Sequence, residues 1–152
     1  MTDTSKKSFL VDTNLLVYLL DKSSEYNLQV YNFFEWVENN NRVLVIAQQN
    51  IVELVNTLVA DYNLNFRQAV IKTKKLLDGK EFRVIFPLPT TLDRFFSLSS
   101  TKKRAFDLYL IATALDNEVD TVITNNENDF TGVEGFNALS LEEIEELIKS
   151  KD

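Results

Sequence analysis

The chain has no cysteine and no histidine, and only three glycines and two prolines in 152 residues. Without cysteine there is no disulfide framework and no thiolate site, which fits a reducing compartment. Without histidine, acid–base catalysis by an imidazole pair is excluded. So few glycines and prolines argue against a many-turned all-β fold. The glycines stand at 79, 132 and 135, so none can form the glycine-rich turn that a dinucleotide-binding fold needs after its first strand. No apolar run approaches the roughly 18 residues of a membrane span. The polar opening, with Lys6 and Lys7, leads into no signal-peptide core, so a cytoplasmic location is expected. The net charge of −7 argues against holding nucleic acid on a broad basic face. It still allows an enzyme whose carboxylates hold metal and whose few cations touch phosphate locally. Part of the excess, at Glu142, Glu143, Glu145 and Glu146, reads as the solvated face of a last helix.

What is present is a globular composition, 45% hydrophobic and 11% aromatic, at a length that predicts one domain over residues 1–152. Short apolar runs at 8–11, 42–46, 81–86 and 121–124 read as strands, with a weaker one at 137–139. Helical patterns fall at 12–20, 26–39, 48–61, 65–77, 90–99, 104–117 and 141–149, and Asp78-Gly79 is expected to end the fourth. Strands alternating with helices predict a three-layer α/β fold with a mostly parallel sheet. The aromatic-rich stretch from Tyr18 and Tyr26 to Tyr31, Phe33, Phe34 and Trp36 reads mostly as core, with any exposed surplus marking a protein interface.

In an open parallel sheet, ligands bind at the carboxyl ends of strands, where the strand order reverses. Several acids and amides fall at such ends. Asp12 closes the run Phe9-Leu10-Val11, and reads equally as a helix N-cap or as a site residue. Asp107 lies on the apolar face of Leu108, Ile111 and Leu115, where a carboxylate is costly to bury unless paired or metal-bound; the alternative is a first-turn acid near water. Asn126 and Asp129 follow the fourth strand, Asp129 reading also as a turn residue before Phe130. Glu53 stands opposite the apolar arc of Ile51, Val52, Leu54, Val55, Leu58 and Val59, and by itself reads as solvent-facing. Carboxylates gathered without imidazole or thiolate suit a hard cation, Mg²⁺ or Mn²⁺, and thus phosphodiester chemistry. Crowded without metal, at least one of them should show a raised pKa.

Four segments in order, Phe-Leu-Val-Asp-Thr-Asn, Asn-Ile-Val-Glu-Leu, Phe-Asp-Leu-Tyr-Leu-Ile-Ala-Thr-Ala and Val-Ile-Thr-Asn-Asn-Glu-Asn-Asp-Phe, span nearly the whole chain. Together they resemble the PIN domain family, and more narrowly its VapC-type ribonuclease toxins. The resemblance implies a five-stranded parallel sheet ordered 3-2-1-4-5 and cleavage of single-stranded RNA with Mg²⁺ or Mn²⁺. It also implies a homodimer and a cognate antitoxin. It puts Asp12, Glu53 and Asp107 at the three acidic positions as metal ligands, Asn126 at the fourth catalytic position and Thr124 at the preceding hydroxyl position. Asn126 departs from the fully acidic pattern, which leaves a second metal site incomplete unless Asp129 compensates.

Lys102, Lys103 and Arg104 stand just before Asp107 and are candidate phosphate contacts, or a solvated helix start; Lys72, Lys74 and Lys75 read as the wet face of a helix. A phosphoacceptor receiver-like domain is excluded because the third strand ends in Phe86-Pro87-Leu88-Pro89, with no acid. Two alternatives remain: a non-catalytic PIN-like binding module, and a PIN nuclease outside any toxin–antitoxin pair.

Overall fold

The computed structural model describes residues 7–100 and 104–150, so Lys102 and Lys103 lie outside the described residues. The chain opens with β1 (Ser8–Val11), α1 (Thr13–Leu20) and α2 (Asn27–Asn39). Next come β2 (Val43–Ala47), α3 (Gln48–Asp61), α4 (Phe66–Gly79) and β3 (Phe82–Ile85). It then forms α5 (Thr91–Ser97), α6 (Ala105–Asp116), β4 (Thr121–Ile123), β5 (Asn137–Leu139) and α7 (Leu141–Ser150). The five strands are parallel and ordered β3-β2-β1-β4-β5. Strand order therefore reverses between β1 and β4, as the family resemblance implied.

The period of two along the strands divides the core. Phe9, Val11, Leu44, Ile46 and Ile123 face one layer, packed by side chains of α1, α2, α3, α4 and α7. Leu10, Val45, Ala47, Ile85 and Val122 face the other, where Leu110, Ile111 and Ala114 of α6 meet Phe130, Val133 and Phe136. Phe33, Phe34 and Trp36 are buried as expected, while Tyr31 is 46% exposed. Edge-to-face rings link Phe9 to Phe33, Phe33 to Phe34 and Phe34 to Phe82, tying α2 to the sheet. Lys72, Lys74 and Lys75 are exposed, as their helical pattern suggested.

Two expectations need correction. α4 runs through Asp78 and Gly79, which were expected to end it after Leu77, and the chain leaves through an extended Lys80. The left-handed positions that follow α2, α3 and α6 go to Asn41, Asn63 and Glu118, at φ of 56°, 56° and 61°. Asparagine tolerates this conformation better than other non-glycine residues, which suits a chain so poor in glycine. Along α3, Val52 and Val59 are 65% and 39% exposed, so its buried stripe is Asn50, Leu54 and Leu58, narrower than the apolar arc read from the sequence.

The α5–α6 pair is held by a charge. The Asp116 carboxylate, with 5% of its side chain exposed, accepts from Thr90 Oγ1 at 2.9 Å, from Thr91 Oγ1 at 2.8 Å and from Arg94 Nε. Burial alone would raise its pKa. The hydrogen bonds from Thr91, Arg94 and Thr90, with the Arg94 charge, outweigh that and lower it. Asp116→Ala removes the acceptor for all three groups and should cost about 2 kcal/mol in denaturant unfolding.

Candidate functional site

Backbone pairing runs one step past β1 and β4, from β1 to β4 at Asp12 and from β4 to β5 at Thr124. Asp12 N donates to Ile123 O at 3.0 Å, and Thr124 N donates to Leu139 O at 3.0 Å. Asp12 and Thr124 are thereby set side by side at the carboxyl ends of adjacent strands, at the switch point. The two readings of Asp12 coexist, one for each carboxylate oxygen. Oδ1 accepts from Thr13 N at 2.8 Å and caps α1, while Oδ2 accepts from Thr124 Oγ1 at 2.7 Å. Thr124 is fully buried, and its hydroxyl also accepts from Asn126 N at 2.9 Å. That leaves its proton for Asp12.

These strand ends open into a crevice of about 540 Å³ that Asp12, Glu53, Asp61, Asp107, Asn126, Asp129 and Arg104 help to line. The crevice thus gathers Asp12 from the β1 end, Glu53 from α3, Asp107 from the first turn of α6, and Asn126 and Asp129 from the loop after β4. Glu53 is half-buried: Oε2 accepts from Thr13 Oγ1 at 2.9 Å and Oε1 from Gln49 Nε2 at 3.0 Å. Asp107 has 19% of its side chain exposed. Its Oδ2 lies 3.2 Å from Arg104 Nε, but this buried atom receives no hydrogen bond. Arg104 Nη1 meanwhile donates to Asp129 Oδ2 at 3.3 Å. Arg104, a candidate phosphate contact or solvated helix start in the sequence, here bridges two acids of the crevice. Asn126 is exposed at its rim.

The electrostatics follow from crowding and burial. The pKa of Asp12 is raised to about 6, first by burial. Hydrogen bonds from Thr124 and the Thr13 backbone pull it back, and the Glu53 and Asp107 charges push it up. The rise was expected, but desolvation, not repulsion between acids, is its main source. Asp107 is also raised, by burial first; Arg104 opposes this, and Asp129 and Glu53 add to it.

The donors fit a hard divalent cation in kind, being oxygens only. The buried Asp107 Oδ2 without a hydrogen bond is the kind of atom a cation would satisfy. As they stand the acids line one crevice, and among the described residues no three acidic side chains close on one point tightly enough to hold an ion.

Sequence reasoning missed three residues here: Thr13, Gln49 and Asn50. Asn50 is fully buried, with Oδ1 accepting from Ala47 N at 3.1 Å and Nδ2 donating to Thr13 Oγ1 at 3.1 Å. Gln49 Nε2 donates to Phe106 O at 3.1 Å as well as to Glu53. The amide run Gln48-Gln49-Asn50 directly after a buried strand was the available signal.

Residues 9–135 match the family model of the PIN domain. None of the curated proteins compared matches the chain in sequence. Among solved structures, the fold is similar to VapBC2 from Rickettsia felis, bound to a DNA fragment from their promoter. The TM-score is 0.68 at 18% identity, over 88% of this chain and 98% of that one. It is similar to PAE2754 from Pyrobaculum aerophilum, with a TM-score of 0.55 at 17% identity over 95% and 88%. It is also similar to VapC20 from Mycobacterium tuberculosis, a sarcin-ricin loop cleaving toxin, with a TM-score of 0.54 at 9% identity over 75% and 86%. At these identities the likeness is one of fold.

Proposed function

The chain belongs to the PIN domain family, and from that premise we propose that it is a Mg²⁺- or Mn²⁺-dependent endoribonuclease cleaving single-stranded RNA, the toxin of a toxin–antitoxin pair. The observation that supports this reading is the switch-point crevice lined by Asp12, Glu53 and Asp107 from three separate elements. Asp12, Glu53 and Asp107 would hold the cation. Bound there, it would lower the pKa of a water that attacks the RNA phosphate and offset charge developing on the phosphoryl oxygens. The protein's own contribution is orientation. Thr124 fixes one oxygen of Asp12, the α1 cap fixes the other, and Thr13 and Gln49 fix the two oxygens of Glu53. Asn126 contributes an amide in place of a fourth charge, which favours one cation over two.

Arg104 would leave Asp107 and Asp129 for an RNA phosphate once a cation balances those acids. The fold likeness to VapBC2 and to VapC20 supports the toxin assignment and a cognate antitoxin. The exposed rings of Phe96 and Phe106, 71% and 78% accessible, support a homodimer through α5 and α6. No helix among the described residues is long and apolar enough to cross a membrane.

The test is cleavage of single-stranded RNA with Mn²⁺ against EDTA. Cleavage should need the metal. Arg104→Gln should raise KM about tenfold and reduce the salt dependence of RNA binding by about one charge. Asn126 favours a second reading, a PIN-like module without catalysis. That reading predicts no metal-dependent cleavage of any RNA, with partner affinity retained.

A further inference from the structure

We propose that Thr13 and Asn50 are positioning residues for Glu53, forming a relay of oriented hydrogen bonds from the end of β2 to the acid in the crevice. The inference rests on the metal-binding role proposed for Glu53.

Each step of the relay is fixed by the donor and acceptor inventory of the groups involved. The backbone N–H of Ala47 can only donate, so the Asn50 atom facing it at 3.1 Å is the amide oxygen. The amide nitrogen is thereby aimed at Thr13 Oγ1, 3.1 Å away. An amide nitrogen can only donate, so the hydroxyl must accept. Its single proton is left for Glu53 Oε2, 2.9 Å away. A backbone group on β2 thus sets the direction of a hydroxyl on α1, and that hydroxyl holds an acid on α3.

The other oxygen of Glu53 is held independently. Gln49 faces two acceptors, Glu53 Oε1 at 3.0 Å and Phe106 O at 3.1 Å, so the atom between them is its nitrogen. Phe106 directly precedes Asp107, so Gln49 also links the helix carrying Glu53 to the one carrying Asp107. With one donor on each oxygen, a flexible side chain is kept in the crevice before any cation arrives.

Capping alone does not account for Asn50. Bonding Ala47 N uses only its oxygen, whereas Nδ2 reaches a residue 37 positions away in sequence. Thr124 repeats the arrangement: its hydroxyl accepts from Asn126 N and donates to Asp12 Oδ2. Two acids of the crevice are therefore each held by a buried threonine whose proton is directed by a fixed N–H.

The test is calorimetric titration of Mn²⁺ into the full-length protein and its variants, with folding checked by circular dichroism. Thr13→Val, equal in shape but without the hydroxyl, should weaken Mn²⁺ binding about tenfold. Thr13→Ser should restore it to within about twofold, because serine keeps the hydroxyl. Combined with Glu53→Gln, Thr13→Val should add no further loss, since both act through the same carboxylate. Asn50→Ala should follow Thr13→Val in direction. Should Thr13→Val fail to fold with Asn50 Nδ2 unpaired, Thr13→Ala leaves room for a water there and carries the same expectation. Folded Thr13 and Asn50 variants that bind Mn²⁺ like the wild type would overturn the relay. So would losses that simply add to that of Glu53→Gln. A wild type that binds no Mn²⁺ would overturn the metal site itself, a different result from a wild type that binds and variants that bind equally.

Discussion

Replacing Asp107 with Asn is expected to leave the fold intact and to lower RNA cleavage roughly 10²–10³-fold. Asparagine has the same shape, and the group it replaces is poorly provided for in the fold. Asp107 Oδ2 is buried without a hydrogen bond, and burial raises the pKa of the group. Its ion pair with Arg104 has a partner side chain that is 71% exposed, so losing it should cost under about 1 kcal/mol. A residue that stabilises the fold so little, yet sits in the crevice, is best explained by its ligand. Asp12→Asn should lose cleavage to a similar degree while keeping the α1 cap, because an amide oxygen can still accept from Thr13 N. Single-turnover cleavage of RNA at saturating Mn²⁺ checks both variants. Wild-type rates in either one would remove the acids from the chemistry.

The metal-free protein is expected to lose about 3 kcal/mol of stability between pH 4 and pH 6 through Asp12 alone. Its folded pKa is about 6, against 3.8 for the unfolded chain. A raised pKa means that the folded state binds the proton more tightly. The contribution is therefore complete below pH 4, falls as pH rises through 6, and is flat above. Asp107, also raised, acts in the same direction. Asp21 and Asp116 are lowered carboxylates; their contributions are present above the unfolded pKa and are lost as pH falls below about 4, outside this window. Denaturant unfolding in EDTA at pH 4, 5, 6 and 7.5, for wild type and Asp12→Asn, isolates the effect. The wild-type curve should fall between pH 4 and 6, while that of Asp12→Asn should lack this fall, offset at every pH by the Thr124 hydrogen bond that an amide nitrogen cannot accept. Parallel curves would mean that Asp12 carries no such burden.

The strands and helices were legible because their signals are local. A buried strand such as Val43–Ala47 is a short apolar run, and α3 follows it with its own period. Sheet order was not local information. It came with the family resemblance, and the pairing of β1 with both β2 and β4 bears it out. Asp12 stayed undecided in the sequence because a cap and a site residue look alike there; in the fold one carboxylate serves as cap with one oxygen and faces Thr124 with the other. Glu53 was legible only through the family, since a helical wheel turns it away from the apolar arc and cannot show that a crevice borders the polar side. The same wheel misplaced Val52, which is exposed, and gave no sign that Asn50 is fully buried, because Asn50 answers to Thr13 from a distant part of the chain. Arg104 was recognisable as a cation beside Asp107, but its contact with Asp129 depends on how the loop after β4 returns.

The most direct test of the central claim is thermal unfolding in EDTA and across a Mn²⁺ titration, for wild type and Asp107→Asn. If Asp12, Glu53 and Asp107 form a divalent-cation site, wild type gains about 2.7 kcal/mol at a hundredfold excess over Kd, and the variant gains much less at the same concentration. If wild type shows no response at millimolar Mn²⁺, or the variant responds equally, the crevice is not the metal site on which the proposed nuclease depends.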